Sequence, residues 1–162
     1  MSAEGCPGAR TIDLRRPNDV EQEPQGGAAS QGVASQLRQW PIQLHLVNPN
    51  APYFKGADVL LTADCVGYAV GGFHPEYLKG KSIAIACPKL DDGQDVYAEK
   101  VRSWIDEAQI NTLTVMIMQV PCCGGLLNMA LKAAASARRK VPVKSIVVSL
   151  QGEVLSEAWA NT

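Results

Sequence analysis

Five cysteines are the residues of this sequence best suited to chemistry: Cys6, Cys65, Cys87 and the adjacent pair Cys122 and Cys123. A thiolate serves as nucleophile, redox group or soft-metal ligand, whereas a buried thiol is only a small apolar side chain. The number is odd and the cysteines are sparse, so a framework of structural disulfides is not expected. No C-x-x-C spacing occurs, and that pairing is common in structural zinc sites. Single cysteines dispersed along the chain fit an iron–sulfur cluster better. Two other readings stay open: a metal-free thiol redox or sensor protein using Cys122 and Cys123, and a zinc-stabilised interaction module.

Cysteines this far apart act together only if the fold gathers them. Four apolar runs read as strands: 57–63 (ADVLLTA), 81–86 (KSIAIA), 112–120 (TLTVMIMQV) and 143–150 (VKSIVVSL), with a half-buried strand expected over 42–47 from its alternation. Helices are expected near 74–79, over 94–108 and over 125–140. In the second, Tyr97, Val101, Trp104, Ile105 and Ala108 recur at helical spacing; in the third, Leu127, Ala130, Leu131 and Ala134 face inward. Strands alternating with helices predict a three-layer α/β fold, a mostly parallel sheet with right-handed crossovers. Cys65, Cys87 and the Cys122–Cys123 pair each follow one of three successive strands. They should therefore meet at the carboxyl edge of the sheet, where βα-loops bind ligands. Cys122-Cys123-Gly124-Gly125 leads into a helix whose free N–H groups favour a thiolate.

Residues 1–36 read as a flexible tail carrying Cys6, since 17–36 is rich in Pro, Gly, Gln, Ser and Ala and has little to bury. Residues 37–162 form the α/β domain. A cubane needs four ligands. Cys65, Cys87 and one of the pair fill three by position, and the fourth is the other member or Cys6, whose recruitment costs roughly 3 kcal/mol of loop closure.

The remaining polar candidates have plainer readings. His74 opens a helix, His45 lies on a strand surface, and Lys89 sits in the loop after Cys87. Asp64, Asp91 and Asp92 are expected as caps. Gly67, Gly71 and Gly72 lack the dinucleotide spacing, so NAD binding has no support. Gly80-Lys81-Ser82 enters a strand instead of leaving one and is no phosphate loop.

Fifteen Lys and Arg against sixteen Asp and Glu give a net charge of −1, no footprint for nucleic acid. No apolar run nears the roughly 18 residues of a membrane span. The opening residues carry no secretory stretch, so the cytoplasm is the expected compartment.

The segments Ser35-Gln36-Leu37-Arg38-Gln39-Trp40-Pro41, Ala63-Asp64-Cys65, Cys87-Pro88-Lys89-Leu90-Asp91-Asp92 and Val120-Pro121-Cys122-Cys123-Gly124 together resemble small 4Fe-4S cluster-binding, ferredoxin-like oxidoreductases of anaerobes. The paired-cluster ferredoxin module of some members is missing, because no C-x-x-C-x-x-C run is present. The resemblance implies a 4Fe-4S cluster on Cys65, Cys87, Cys122 and Cys123, with Cys6 as an alternative or additional ligand. It implies electron transfer or cluster-based redox chemistry on a small ligand, whether carrier or enzyme. The expected partner is a redox protein or small redox ligand, and a homodimer could share the site.

Overall fold

The computed structural model describes residues 7–15 and 32–160. Two short strands, β1 (Ile12–Asp13) and β2 (Gln39–Trp40), pair antiparallel beside the main sheet. The main sheet contains β3 (Asp58–Ala63), β4 (Ser82–Ala86), β5 (Thr112–Met118), β6 (Val143–Val148) and β7 (Val154–Ala160), in the order β4-β3-β5-β6-β7. The first four are parallel and β7 is antiparallel to β6. The α/β architecture and the four strands expected from apolar runs are present. Their buried residues, such as Leu60, Leu61, Ile83, Val115, Met116 and Ile146, leave little alternation because such strands are covered on both faces.

Helix α1 (Val66–Ala69) and a single π-helical turn, Phe73–Leu78, connect β3 to β4; α2 (Gln94–Asp106) connects β4 to β5, and α3 (Gly124–Ser136) connects β5 to β6. The step from β3 to β4 runs opposite to the two that follow. With right-handed crossovers this puts α1 on one face and α2 and α3 on the other. Helix α2 buries Tyr97, Val101, Trp104 and Ile105, with Trp104 tilted against Phe54 at 5.0 Å. Helix α3 turns Leu126, Ala130, Ala133 and Ala134 inward; Leu127 and Leu131, expected there, are only partly buried. The 3-10 turn Pro121–Cys123 runs directly into α3 and sets its rotation, bringing the alanine-rich stripe against the sheet.

Of the strand expected over 42–47 only one parallel bridge forms, Gln43 beside Ile85, with the Leu44 N–H donating to the Ile85 carbonyl and the Ile85 N–H to the Ile42 carbonyl. Leu46 and Val47 both donate to the Gln43 carbonyl, closing a turn, and the Lys100 ammonium donates to the carbonyls of Leu44, His45 and Val47 at 2.7, 2.7 and 2.9 Å. Those carbonyls face a cation instead of a neighbouring strand. Strand β4 is also bonded from earlier in the chain. The buried Gln39 amide donates to the Ile83 carbonyl at 2.6 Å and accepts from the Ile83 N–H at 3.0 Å, so a side chain supplies ladder bonds along β4. Strand β7 was not legible as an apolar run because it is exposed along most of its length.

Within 1–36, the described residues 7–15 and 32–36 touch the body. Leu14 donates to the Arg38 carbonyl, the Trp40 indole N–H donates to the Gly8 carbonyl at 2.8 Å, and Gln36 N–H donates to His74 Nδ1 at 3.0 Å. Cys6 lies outside the described residues. No helix among the described residues is long and apolar enough to cross a membrane.

Candidate functional site

Strand register brings the three thiol-bearing loops to one edge. Ala63 is level with Ala86, and Thr62 is level with both Ile85 and Met116, so β3, β4 and β5 end nearly together. Cys65 follows β3 and opens α1, Cys87 follows β4, and Cys122 and Cys123 occupy the 3-10 turn after β5. The sheet begins its order reversal at β3: the chain steps to β4 on one side and then returns to β5 on the other. The crevice of a doubly wound sheet opens at such a switch point. Cys65 stands on one lip of that crevice and the Cys122–Cys123 pair on the other.

Cys65 and Cys122 are exposed, Cys87 is half-buried and Cys123 is buried. Burial pushes the Cys123 thiol up from its ordinary range; neighbouring Cys122 and, less strongly, Cys65 push it further, against a pull from the Met118 backbone. This corrects the lowered thiol expected at a helix N-terminus. The Cys123 sulfur is desolvated among other thiols, and its position at the end of a 3-10 turn does not offset that cost. The same couplings place Cys65 and Cys122 within electrostatic reach of Cys123.

Cys87 belongs to a second group. Its backbone N–H donates to Asp91 Oδ2 at 2.8 Å, its carbonyl accepts from Leu90 and Asp91, and the Tyr97 hydroxyl donates to the same carboxylate oxygen. Asp91 and Asp92 therefore do not cap α2, whose leading residue is Gly93 at φ 68° with no side-chain cap. Asp64 likewise caps nothing. Its carboxylate lies 3.5 Å from the Gln43 amide, and burial together with Asp91 raises its proton affinity. Burial and the Asp91 carboxylate also push the Tyr97 phenol well up. Pro88, next to Cys87, packs against Gly125 in the first turn of α3, so the Cys87 loop leans across β3 toward the CC turn.

The other candidates are structural. His74 accepts from the Gln36 backbone. His45 bonds the Asp92 carbonyl at 2.7 Å and stacks at a tilt on Tyr97, 4.5 Å between ring centres. Lys89 is exposed. Sequence reasoning missed the Asp64, Asp91 and Tyr97 cluster, because helical periodicity counts Tyr97 as a core ring and says nothing of its hydroxyl. The four-residue spacing from Cys87 to Asp91 was the available signal.

No three His, Cys, Asp or Glu side chains among the described residues gather closely enough to hold a single metal ion. An uncharacterised protein of Archaeoglobus fulgidus is 29% identical over 119 residues, covering 74% of this chain and 83% of its own length. No solved structure matches the chain. The family match lies elsewhere than the resemblance implied: it is to a Rossmann-like domain, and neither that family nor the relative is described as binding a cluster. The assignment to 4Fe-4S ferredoxin-like oxidoreductases is thereby corrected. Short loop strings such as Cys87-Pro88-Lys89 and Cys122-Cys123-Gly124 carried it, whereas the sheet and its crossovers decide the family. The chain belongs to the Rossmann-like domain family, matched over residues 51–161.

Proposed function

We propose that the switch-point crevice holds an iron–sulfur centre on Cys65, Cys122 and Cys123, with Cys87 as fourth ligand, and that the protein transfers electrons. The observation carrying this reading is that thiols from two separate βα-loops flank one crevice, where Cys122 and Cys65 add to the burial that keeps Cys123 protonated. A thiolate at Cys123 is unfavourable alone, and a bound cationic centre relieves that cost. A single zinc ion at about 2.3 Å from each sulfur would need its ligands converged on one point, a geometry not found among the described residues. A cluster interposes its own irons and sulfides, so its thiolates need to share a rim and not a point. When bound, such a group supplies a redox couple tuned by hydrogen bonding and exposure. Burial of Cys123 and exposure of Cys65 and Cys122 would dehydrate one side of the centre and leave the other open to a partner. Metal-free exchange at Cys122 and Cys123 has less support, because a buried, hard-to-ionise Cys123 is a poor nucleophile.

The test is anaerobic purification and reconstitution, with iron and sulfide analysis and spectra before and after dithionite. On the order of four irons per chain are expected for a cubane, with the visible band lost in Cys65→Ser, Cys122→Ser and Cys123→Ser and kept in Cys6→Ser. A protein that stays colourless after reconstitution refutes the reading.

A further inference from the structure

Charge on this molecule is divided between the two ends of its sheet. At the carboxyl edge, the segments after β3, β4, β5 and β6 and before the next element carry Asp64, Asp91, Asp92 and Glu153 against Lys89, net −3. At the amino edge, the segments entering β3, β4, β5 and β6 carry Lys55, Lys79, Lys81 and the Arg138-Arg139-Lys140 run against Glu107, net +5. A chain of net charge −1 is thus polarised, with its exposed thiols at the acidic end.

That end is also apolar at its surface. Leu90 after β4, Tyr68 after β3 and Leu150 after β6 are 79%, 95% and 62% exposed. One exposed leucine is ordinary, but Tyr68 of α1 with Leu90 and Leu150 of two loops puts three large exposed apolar groups at one sheet edge. The segments that carry them are joined. Pro88 packs on Gly125, the Leu150 N–H donates to the Gln119 side chain at 3.1 Å, and Gly152 lies against the Ala69 carbonyl.

We infer that the carboxyl edge is the docking face for a protein partner that presents a basic rim around an apolar centre. The inference takes the purpose of docking, electron exchange at the crevice, from the function proposed above. A second copy fits poorly. Two carboxyl edges meeting about a two-fold axis would oppose −3 to −3, and an acidic edge on a basic edge is a head-to-tail contact that repeats without closing. A cationic partner satisfies both the charge and the exposed Leu90, Tyr68 and Leu150, and gains association rate at low salt.

The probe is cytochrome c, a basic electron carrier, with acidic flavodoxin as the control, titrated into isotope-labelled full-length protein and followed by NMR. Cytochrome c is expected to shift resonances of residues 65–70, 88–92, 119–123 and 150–152. Its Kd should weaken at least about tenfold between 20 and 200 mM salt, the screening expected of charge-steered contacts. Combined Tyr68→Ser, Leu90→Ser and Leu150→Ser, and separately Asp92→Lys with Glu153→Lys, should each weaken binding about tenfold, with circular dichroism confirming folded variants. Absent binding, shifts confined to the amino edge, equal binding of flavodoxin, or concentration-dependent head-to-tail assembly by sedimentation overturns the inference. Iron content of the same samples separates the two ideas. A colourless protein that docks removes the cluster and keeps the face, and a loaded protein that does not dock does the reverse.

Discussion

Replacing Asp91 tests how the edge is built. Its carboxylate accepts from the Cys87 N–H at 2.8 Å and from the hydroxyl of Tyr97, whose side chain is 1% exposed. Hydrogen bonds to a charged group contribute about 1.5–3 kcal/mol each, and a buried donor left without a partner costs about 1–3 kcal/mol. These terms overlap, and removing Asp91 also relieves its repulsion of Asp64. Asp91→Ala should therefore destabilise the fold by about 2–4 kcal/mol. Tyr97→Phe removes one donor without stranding another and should cost about 1 kcal/mol. The decisive quantity is the double variant. Once Asp91 is gone, the phenol hydroxyl is an orphan, so Tyr97→Phe in that background should be neutral or stabilising. Urea unfolding of the reduced, metal-free protein at pH 7 gives these values, at a slope of about 1–3 kcal/mol/M that should not change between variants. Alkylation of Cys87 should also speed up in Asp91→Ala, since its loop loses the bond that shapes it. Asp91→Ala within about 0.5 kcal/mol of wild type, or Tyr97→Phe equally damaging in both backgrounds, refutes the reasoning.

Three further outcomes follow from particular contacts. Gly152 adopts φ +86°, and an added Cβ would lie 2.1 Å from the Ala69 carbonyl oxygen, whereas Gly80 at φ +77° has nothing within 4 Å; by calorimetry Gly80→Ala should cost about 1 kcal/mol and Gly152→Ala at least about 3. Lys100→Met removes the cation shared by three carbonyls and should cost about 2–4 kcal/mol, with amide exchange rising first over residues 44–48. The Arg139 backbone N–H, and then Arg138, hold the Asp106 carboxyl below the 3.8 of a free aspartate. A lowered folded-state value means stability present above 3.8 and lost as pH falls through that lower value, so the stability gap between wild type and Asp106→Asn should shrink on acidification below pH 4 in pH-jump unfolding.

The parts of the fold readable from sequence were those in which one force dominates. Runs such as DVLLTA and TLTVMIM are buried on both faces and admit no reading but strand. Tyr97, Val101, Trp104 and Ile105 keep helical phase because the whole face packs on the sheet. Positions decided by a distant partner were not readable. The alternation over 42–47 yields one bridge to β4 and then turns, its carbonyls taken by Lys100, more than fifty residues away. Strand β7 needs β6 beside it, with Lys144 bonded to Glu157 and set over Trp159 at 4.8 Å, and shows no apolar run of its own. The site followed the same division. That the thiols reach one edge was implied by strands ending in cysteine, whereas the burial that raises Cys123 depends on packing that no local pattern encodes.

Topology explains why the four thiols at the edge are not equivalent. The chain leaves β3 toward the α1 face and leaves β5 toward the opposite face, so their loops diverge and open a crevice lined by Cys65, Cys122 and Cys123. Strand β4 lies outside that crevice, on the far side of β3, so Cys87 comes from a loop one strand removed. Two contacts fix that loop: the Asp91 carboxylate, which closes it on the Cys87 N–H, and Pro88, which lies beside Gly125 at the start of α3. Cys87 is thus the thiol whose approach depends on a loop conformation and not on strand register. If a shared centre forms, Cys87→Ser should leave a less stable centre on three ligands, whereas loss of either lip of the crevice should leave none. A spectrum of Cys87→Ser that matches wild type in intensity and in resistance to chelator would show that this loop has no part in the site.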